Sequence, residues 1–227
     1  MKWHSYIQVG TMPSAKSGPC YDFRDMPSYG AEEIKINIGC GLSGIAGWQN
    51  LDNSPTIWMS RIPLLNRLLK TPAWPHDVRR YDVRKGLPYG EATVRYVYSS
   101  HAFEHFTRVE SLAIAKEGFR VLVPGGILRI VVPDLALIVR EYLADPSPQA
   151  AQTFLSRLSL NHSLQDLVHP GSNHSQMFDA KSLAHLLREA GFPQVEVSSY
   201  RQSAIPEIDQ LELEVRRRES LYVEAVK

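Results

Sequence analysis

Long apolar runs, a charge excess and a cysteine framework are all missing from this 227-residue sequence. No stretch approaches the roughly 20 apolar residues that a membrane-spanning helix needs, which excludes that class of protein as an expectation. The opening segment MKWHSYIQVGTMPSAKSGPC holds no sustained apolar run and does not read as a signal peptide, so the expected location is the cytoplasm. Cysteine is scarce: only Cys20 and Cys40 occur, with no CxxC pair, which argues against both a disulfide scaffold and a cysteine-rich zinc site. Neither sign of charge dominates. Twenty-five Lys and Arg face 24 Asp and Glu, a formal net charge of +1, so no nucleic-acid partner is expected. Internal repeats and low-complexity tracts are absent too. What is present is ordinary globular material, 44% hydrophobic and 22% charged, enough for one domain with its own core.

Residues 1–33 are rich in Gly, Pro, Ser and aromatics without periodicity and read as an irregular arm or lid. Regular structure is expected from Ile34 to Ile38, a β-branched run that stops at Gly39-Cys40-Gly41. Trp48 to Asp52 reads as a second strand, Asp77 to Asp82 as a weaker third and Val94 to Tyr98 as a fourth, leading into Ser99-Ser100-His101. Between the second and third, Ile57 to Lys70 is apolar and basic among four prolines and reads as a broken amphipathic helix. Leu112, Ala115, Phe119 and Leu122 share a face of a helix expected over Thr107 to Val123, with Pro124-Gly125-Gly126 as its stop. Ile127 to Val132 is the most apolar strand, suited to a central position covered on both faces. Helices over Leu135 to Leu143 and Ala180 to Ala190, the latter closed by Gly191, and strands over Val195 to Tyr200 and Leu221 to Val226 complete the order. Alternating strands and helices imply an α/β, doubly wound, mainly parallel sheet. Ligands then gather beyond the carboxyl ends of the strands, where Gly39, Asp52, Asp82, Ser99, His101 and Asp134 would stand.

Gly39-Cys40-Gly41-Leu42-Ser43-Gly44 matches G-x-G-x-x-G, a pattern shared by several nucleotide-binding folds and also by plain tight turns. Spacing narrows the choice. A dinucleotide unit places a full helix after the turn and its ribose acid about 20 residues on. Here Asp52 comes much sooner, and Leu42 to Gly47 leaves room for barely one helical turn. The nicotinamide reading is therefore disfavoured, and no Gly-Lys-Ser/Thr follows to make a Walker loop. A ligand with a ribose and no phosphate fits better, with Asp52 accepting from the ribose hydroxyls.

These segments, KINIGCG…GWQNLD, YDVRKGLPY, VYSSHAFEHF, FRVLVPGGILRIVVPDL and FDAKSLAHLLREAGF, together resemble the class I S-adenosylmethionine-dependent methyltransferases. The resemblance is to the small methyltransferase domains of the type 11 kind and runs from about Ile34 to Lys227. It implies a methyltransferase domain over 34–227, a Rossmann-like sheet with an antiparallel last strand, and S-adenosylmethionine as cofactor. Residue by residue, it implies that Asn37, Gly39, Cys40 and Gly41 line the methionine part and that Asp52 holds the ribose. Asp82 and Val83 would flank the adenine, and Ser99 and His101 would lie near the sulfonium and the acceptor. Many members carry an acid where Asn37 stands; an amide still bonds an ammonium but supplies no charge. The acceptor implied is a small molecule or glycan, methylated on oxygen or nitrogen.

If the acceptor must lose a proton, His101 is the first candidate base and His174 the second, because histidine titrates near neutrality. Residues 135–178, too long for a plain connection, are the expected cover of the acceptor site. His162, His169 and His174 lie in that segment without a carboxylate or cysteine at a recognised ligand spacing, so no metal is expected. Glu104-His105 reads as capping or packing ahead of an active-site role, and Arg216-Arg217-Arg218 as a solvated face. The stretch 57–70 keeps a weak membrane-surface contact in play. The rival readings are a non-catalytic scaffold that keeps the fold and, less favoured, a nicotinamide-dependent oxidoreductase.

Overall fold

The computed structural model describes residues 33–62, 73–75, 77–145, 147–158 and 174–227. The expected arm over 1–32, the part of the amphipathic stretch over 63–70, and His162 and His169 lie outside the described residues.

Seven strands form one sheet: β1 (Ile34–Ile38), β2 (Gln49–Asp52), β3 (Arg79–Arg80), β4 (Val94–Ser100), β5 (Leu122–Pro133), β6 (Gln194–Ser198) and β7 (Ser220–Val226). They lie in the order β3-β2-β1-β4-β5-β7-β6. Strands β1 to β5 pair in parallel, whereas β7 runs antiparallel to both its neighbours, β5 and β6. The doubly wound sheet and its antiparallel last strand are as the sequence implied.

The helices are α1 (Thr56–Ser60), α2 (Arg108–Val121), α3 (Leu135–Ala144), α4 (Pro148–Leu158), α5 (Ala180–Glu189) and α6 (Ile208–Leu211). Helix α2 starts at a capping box: Glu110 N donates to Thr107 Oγ1 at 3.3 Å, and Thr107 N donates to Glu110 Oε2 at 2.8 Å. Helix α5 is capped by Asp179 Oδ1, which accepts from Ser182 N at 2.7 Å, and it ends against Gly191 at φ +113°.

Alternation along the strands divides the core. Leu128, Ile130, Val132, Val223 and Ala225 join the cluster that takes in Ile114 of α2 and Leu183 and Leu187 of α5. Tyr96, Tyr98, Ile127, Val131 and Tyr222 join a second cluster with Ile205, Ile208 and Leu211. On that second side Arg129 is fully buried within the most apolar strand. Its guanidinium donates to Glu212 at 2.6 Å, to Glu224 at 2.9 Å, and to the Ser199 and Gln202 carbonyls at 2.9 and 3.1 Å.

Several boundaries differ from expectation for physical reasons. Helix α2 stops at Val121, and Pro124-Gly125-Gly126 enters β5 instead of ending a helix. Gly125 N donates to Lys227 O at 2.8 Å and Lys227 N to Gly126 O at 3.1 Å, so a distant segment draws these residues into the sheet. The third strand shrinks to exposed Arg79–Arg80 at the sheet edge. Between β1 and β2 there is no helix at all. Asn50, fully buried, holds that loop by donating to Ile45 O at 2.9 Å and Trp48 O at 3.2 Å while accepting from Ile45 N at 3.2 Å.

Candidate functional site

The carboxyl ends of β1, β2 and β4 open into a cavity of about 390 Å³. Gly39, Gly41, Asp52, Ser54, Tyr81, Asp82, Val83, His101 and His105 are among the residues that line it. The loop geometry explains the glycines. Gly39 has φ +66°, and a Cβ there would stand 2.5 Å from Ala102 Cβ, so both backbone and space demand its absence. Gly41 has φ +54° with nothing within 4 Å of where a Cβ would point, which leaves the cavity wall open.

Asp52 closes β2 as expected. Its Oδ2 accepts from Gly41 N at 3.0 Å and its Oδ1 from Ser54 N at 2.8 Å. Two backbone amides thus aim the carboxylate, and each oxygen retains a further lone pair for a ligand hydroxyl. Asp82 is placed differently. Arg84 Nε donates to its Oδ1 at 2.8 Å and Nη2 to its Oδ2 at 2.9 Å, and this fork holds the Asp82 carboxyl below the usual range. Val83 is buried beside it.

A second cavity of about 340 Å³ lies across the glycine loop, bordered by Asn37, Cys40, Tyr98, Ser100, Leu213 and Arg216. Gly39, Gly41 and His101 border both spaces. Asn37 is buried there, donating to Asn50 Oδ1 at 3.3 Å. Cys40 is inert. Burial first, then the charges of Asp52 and Asp77, push its thiol up to about 12, so almost no thiolate forms near neutrality. Ser99 turns away from either space: it is fully buried and donates to Ile38 O at 3.2 Å.

His101 occupies the bend after β4 with φ +51°, a left-handed backbone for a non-glycine residue. Its Nε2 shares a hydrogen bond of 2.9 Å with Ser220 Oγ. Its Nδ1 lies 3.4 Å from Arg216 Nη1 and 3.4 Å from Glu104 Oε1. Arg216, read from sequence as part of a solvated face, therefore reaches the site through its guanidinium; the signal that it would do so was not local.

Glu104 and His105 lie in a 3-10 turn over Phe103–His105, ahead of α2. The strap that carries His174 is tied onto this turn. Ser175 N donates to Glu104 O at 2.7 Å, Ser175 Oγ to His105 O at 2.9 Å, and Gln176 Nε2 to Phe106 O at 2.9 Å. His174 thus reaches His105, with ring centroids 5.3 Å apart, and burial holds its imidazole below the usual range.

No family model matches this chain, and no curated protein matches it. Solved structures do. A SAM-dependent methyltransferase from Archaeoglobus fulgidus superposes with a TM-score of 0.50 at 14% identity, over 86% of this chain and 86% of that one. A complex of the Trm112 methyltransferase activator with a methyltransferase from Haloferax volcanii gives 0.47 at 16% identity, over 90% and 86%. A SAM-dependent methyltransferase from Aquifex aeolicus gives 0.44 at 12% identity, over 86% and 81%. The likeness to the Archaeoglobus structure shows the fold: this chain has the class I methyltransferase fold.

Proposed function

We propose that this chain is an S-adenosylmethionine-dependent methyltransferase acting on an oxygen or nitrogen of a small-molecule or glycan acceptor. The observation that carries the reading is Asp52, aimed into a cavity by Gly41 N and Ser54 N beside two left-handed glycines. The residues fit the cofactor. Asp52 would take its ribose hydroxyls, Gly39, Gly41 and Asn37 would flank its amino-acid part, and Val83 and Asp82 would border its adenine. The absence of a helix after the glycine loop removes the N-terminal dipole that a pyrophosphate would need, which disfavours the nicotinamide alternative.

When bound, the cofactor supplies an electrophilic methyl carbon on a sulfonium. The chain's own task is to hold the acceptor in line with that carbon and to exclude water. His101, bordering both cavities, would take the acceptor's proton. Helices α3 and α4 with the strap at 174–178 would form part of the acceptor cover.

Calorimetry with S-adenosylhomocysteine and with NAD tests the reading directly. One site for the former and none for the latter is expected; the reverse result would exclude it. Gly41→Val, which forces a β-branched side chain into left-handed backbone at the cavity wall, is expected to abolish binding in a folded protein. Labelled cofactor with fractionated cell extract then identifies the acceptor, and a chain that binds cofactor yet labels nothing would favour the scaffold reading.

A further inference from the structure

Glu104 is a buried carboxylate that makes no side-chain hydrogen bond among the described residues. Its side chain is 1% exposed. Removing such a charge from water costs several kcal/mol unless something compensates it. His101 Nδ1 stands 3.4 Å from Glu104 Oε1 without making a hydrogen bond to it, and the same atom lies 3.4 Å from Arg216 Nη1. One donor atom from each of Glu104, His105 and His174 lies within 4.8 Å of the others. His174 Nδ1, like the Glu104 oxygens, is shut from solvent without a partner among the described residues. The backbone hydrogen bonds from the Ser175–Gln176 strap to Glu104 O hold these groups together, so the cluster is built from two distant segments of chain.

We propose that Glu104, His105 and His174 bind a divalent transition-metal ion at the edge of the cofactor cavity. Two imidazoles and one carboxylate suit zinc, cobalt or manganese, whereas calcium and magnesium prefer all-oxygen cages. Ligand bonds of about 2.0–2.2 Å would draw the three donors closer together than they stand without an ion. Three protein ligands leave a coordination position open, and His105 places it on the cavity wall. The consequence for the acceptor rests on the methyl-transfer reading: an ion there would hold an acceptor through a lone-pair donor such as a hydroxyl or carboxylate oxygen.

The test uses the full chain, stripped with a chelator and titrated with cobalt(II) while visible absorption is followed. Wild type is expected to take up one equivalent with the absorption bands of an asymmetric nitrogen and oxygen site. Glu104→Gln and His174→Ala are each expected to weaken uptake by more than the about 10–100-fold typical of outer partners, with far-UV circular dichroism unchanged. His185→Ala, on the exposed side of α5, is expected to bind as wild type. Absence of stoichiometric uptake by wild type, or wild-type uptake by either folded site variant, would overturn the proposal. A parallel titration with S-adenosylhomocysteine separates the two readings, because a chain that binds cobalt but no cofactor supports the ion site while sinking methyl transfer.

Discussion

Arg129 and Glu104 are both charged, both buried, and held in opposite ways. Arg129 spends its donors on two carboxylates and two carbonyls and rests its guanidinium 5.4 Å from the Tyr222 ring centre. Glu104, at the carboxyl end of the neighbouring strand, has no hydrogen bond to either oxygen among the described residues. A protein that satisfies one buried charge so fully has the means to satisfy another. The difference separates a charge that holds the sheet to its cover from one kept for a ligand.

Breaking the satisfied side gives the largest effect. Arg129→Ala strands Glu212 and Glu224 in the core and is expected to cost about 3–5 kcal/mol in urea unfolding. Replacing all three residues with apolar or neutral ones is expected to recover most of it, and a mild single mutant would show that the cluster is not under that strain. At the other end, His101→Asn keeps a residue that accepts left-handed backbone but removes the imidazole. Turnover is expected to fall about 10²–10⁴-fold with S-adenosylhomocysteine affinity nearly unchanged, and full turnover would exclude the proton-accepting role. Asp52→Ala removes the aimed carboxylate, and the expected loss of cofactor affinity is at least about tenfold from charge-assisted bonds of roughly 1.5–3 kcal/mol. Calorimetry of the folded variant reads it.

Glu104→Gln sharpens the contrast because it removes a charge without removing a made bond. Its unfolding free energy is expected to stay within about 1 kcal/mol of wild type or to rise, unlike any change at Arg129. The smallest effect is acid sensitivity. Asp82, Glu110, Glu117 and Asp179 are all held below their ordinary range, by Arg84, by Thr107, by Arg120 and by Ser182 respectively. Such groups stabilise the fold fully above their unfolded values and lose that contribution as pH falls through the lower folded ones. Stability is therefore expected to decline below about pH 4, and Asp179→Asn is expected to flatten the decline seen by thermal melting.

Local chemistry explains what was legible beforehand. Thr107 and Gly191 mark helix ends through bonds to residues a few places away, and the β-branched and apolar runs of β1 and β5 announce themselves locally. The strand ends pointed to Gly39, Asp52, Asp82 and His101, which line the first cavity, and also to Ser99 and Asp134, which do not: Ser99 is buried against Ile38 O and Asp134 caps α3. Asn50, Arg129, Arg216 and the meeting of Glu104 with His174 were not legible, because each depends on partners brought from far along the chain. Pro124 to Gly126 misled for the same reason: a helix-stopping pattern says nothing of a strand that arrives from residue 226.

That late arrival governs the order in which this molecule is made. Strand β7 is wedged between β5 and β6, so during synthesis the sheet has a gap until residues 220–226 emerge. Until then Val131 and Val132 present an unpaired edge, and Arg129 waits with one of its carboxylates untranslated. Closing so long-range a pairing is expected to be slow and to leave nascent chains open to association through the β5 edge.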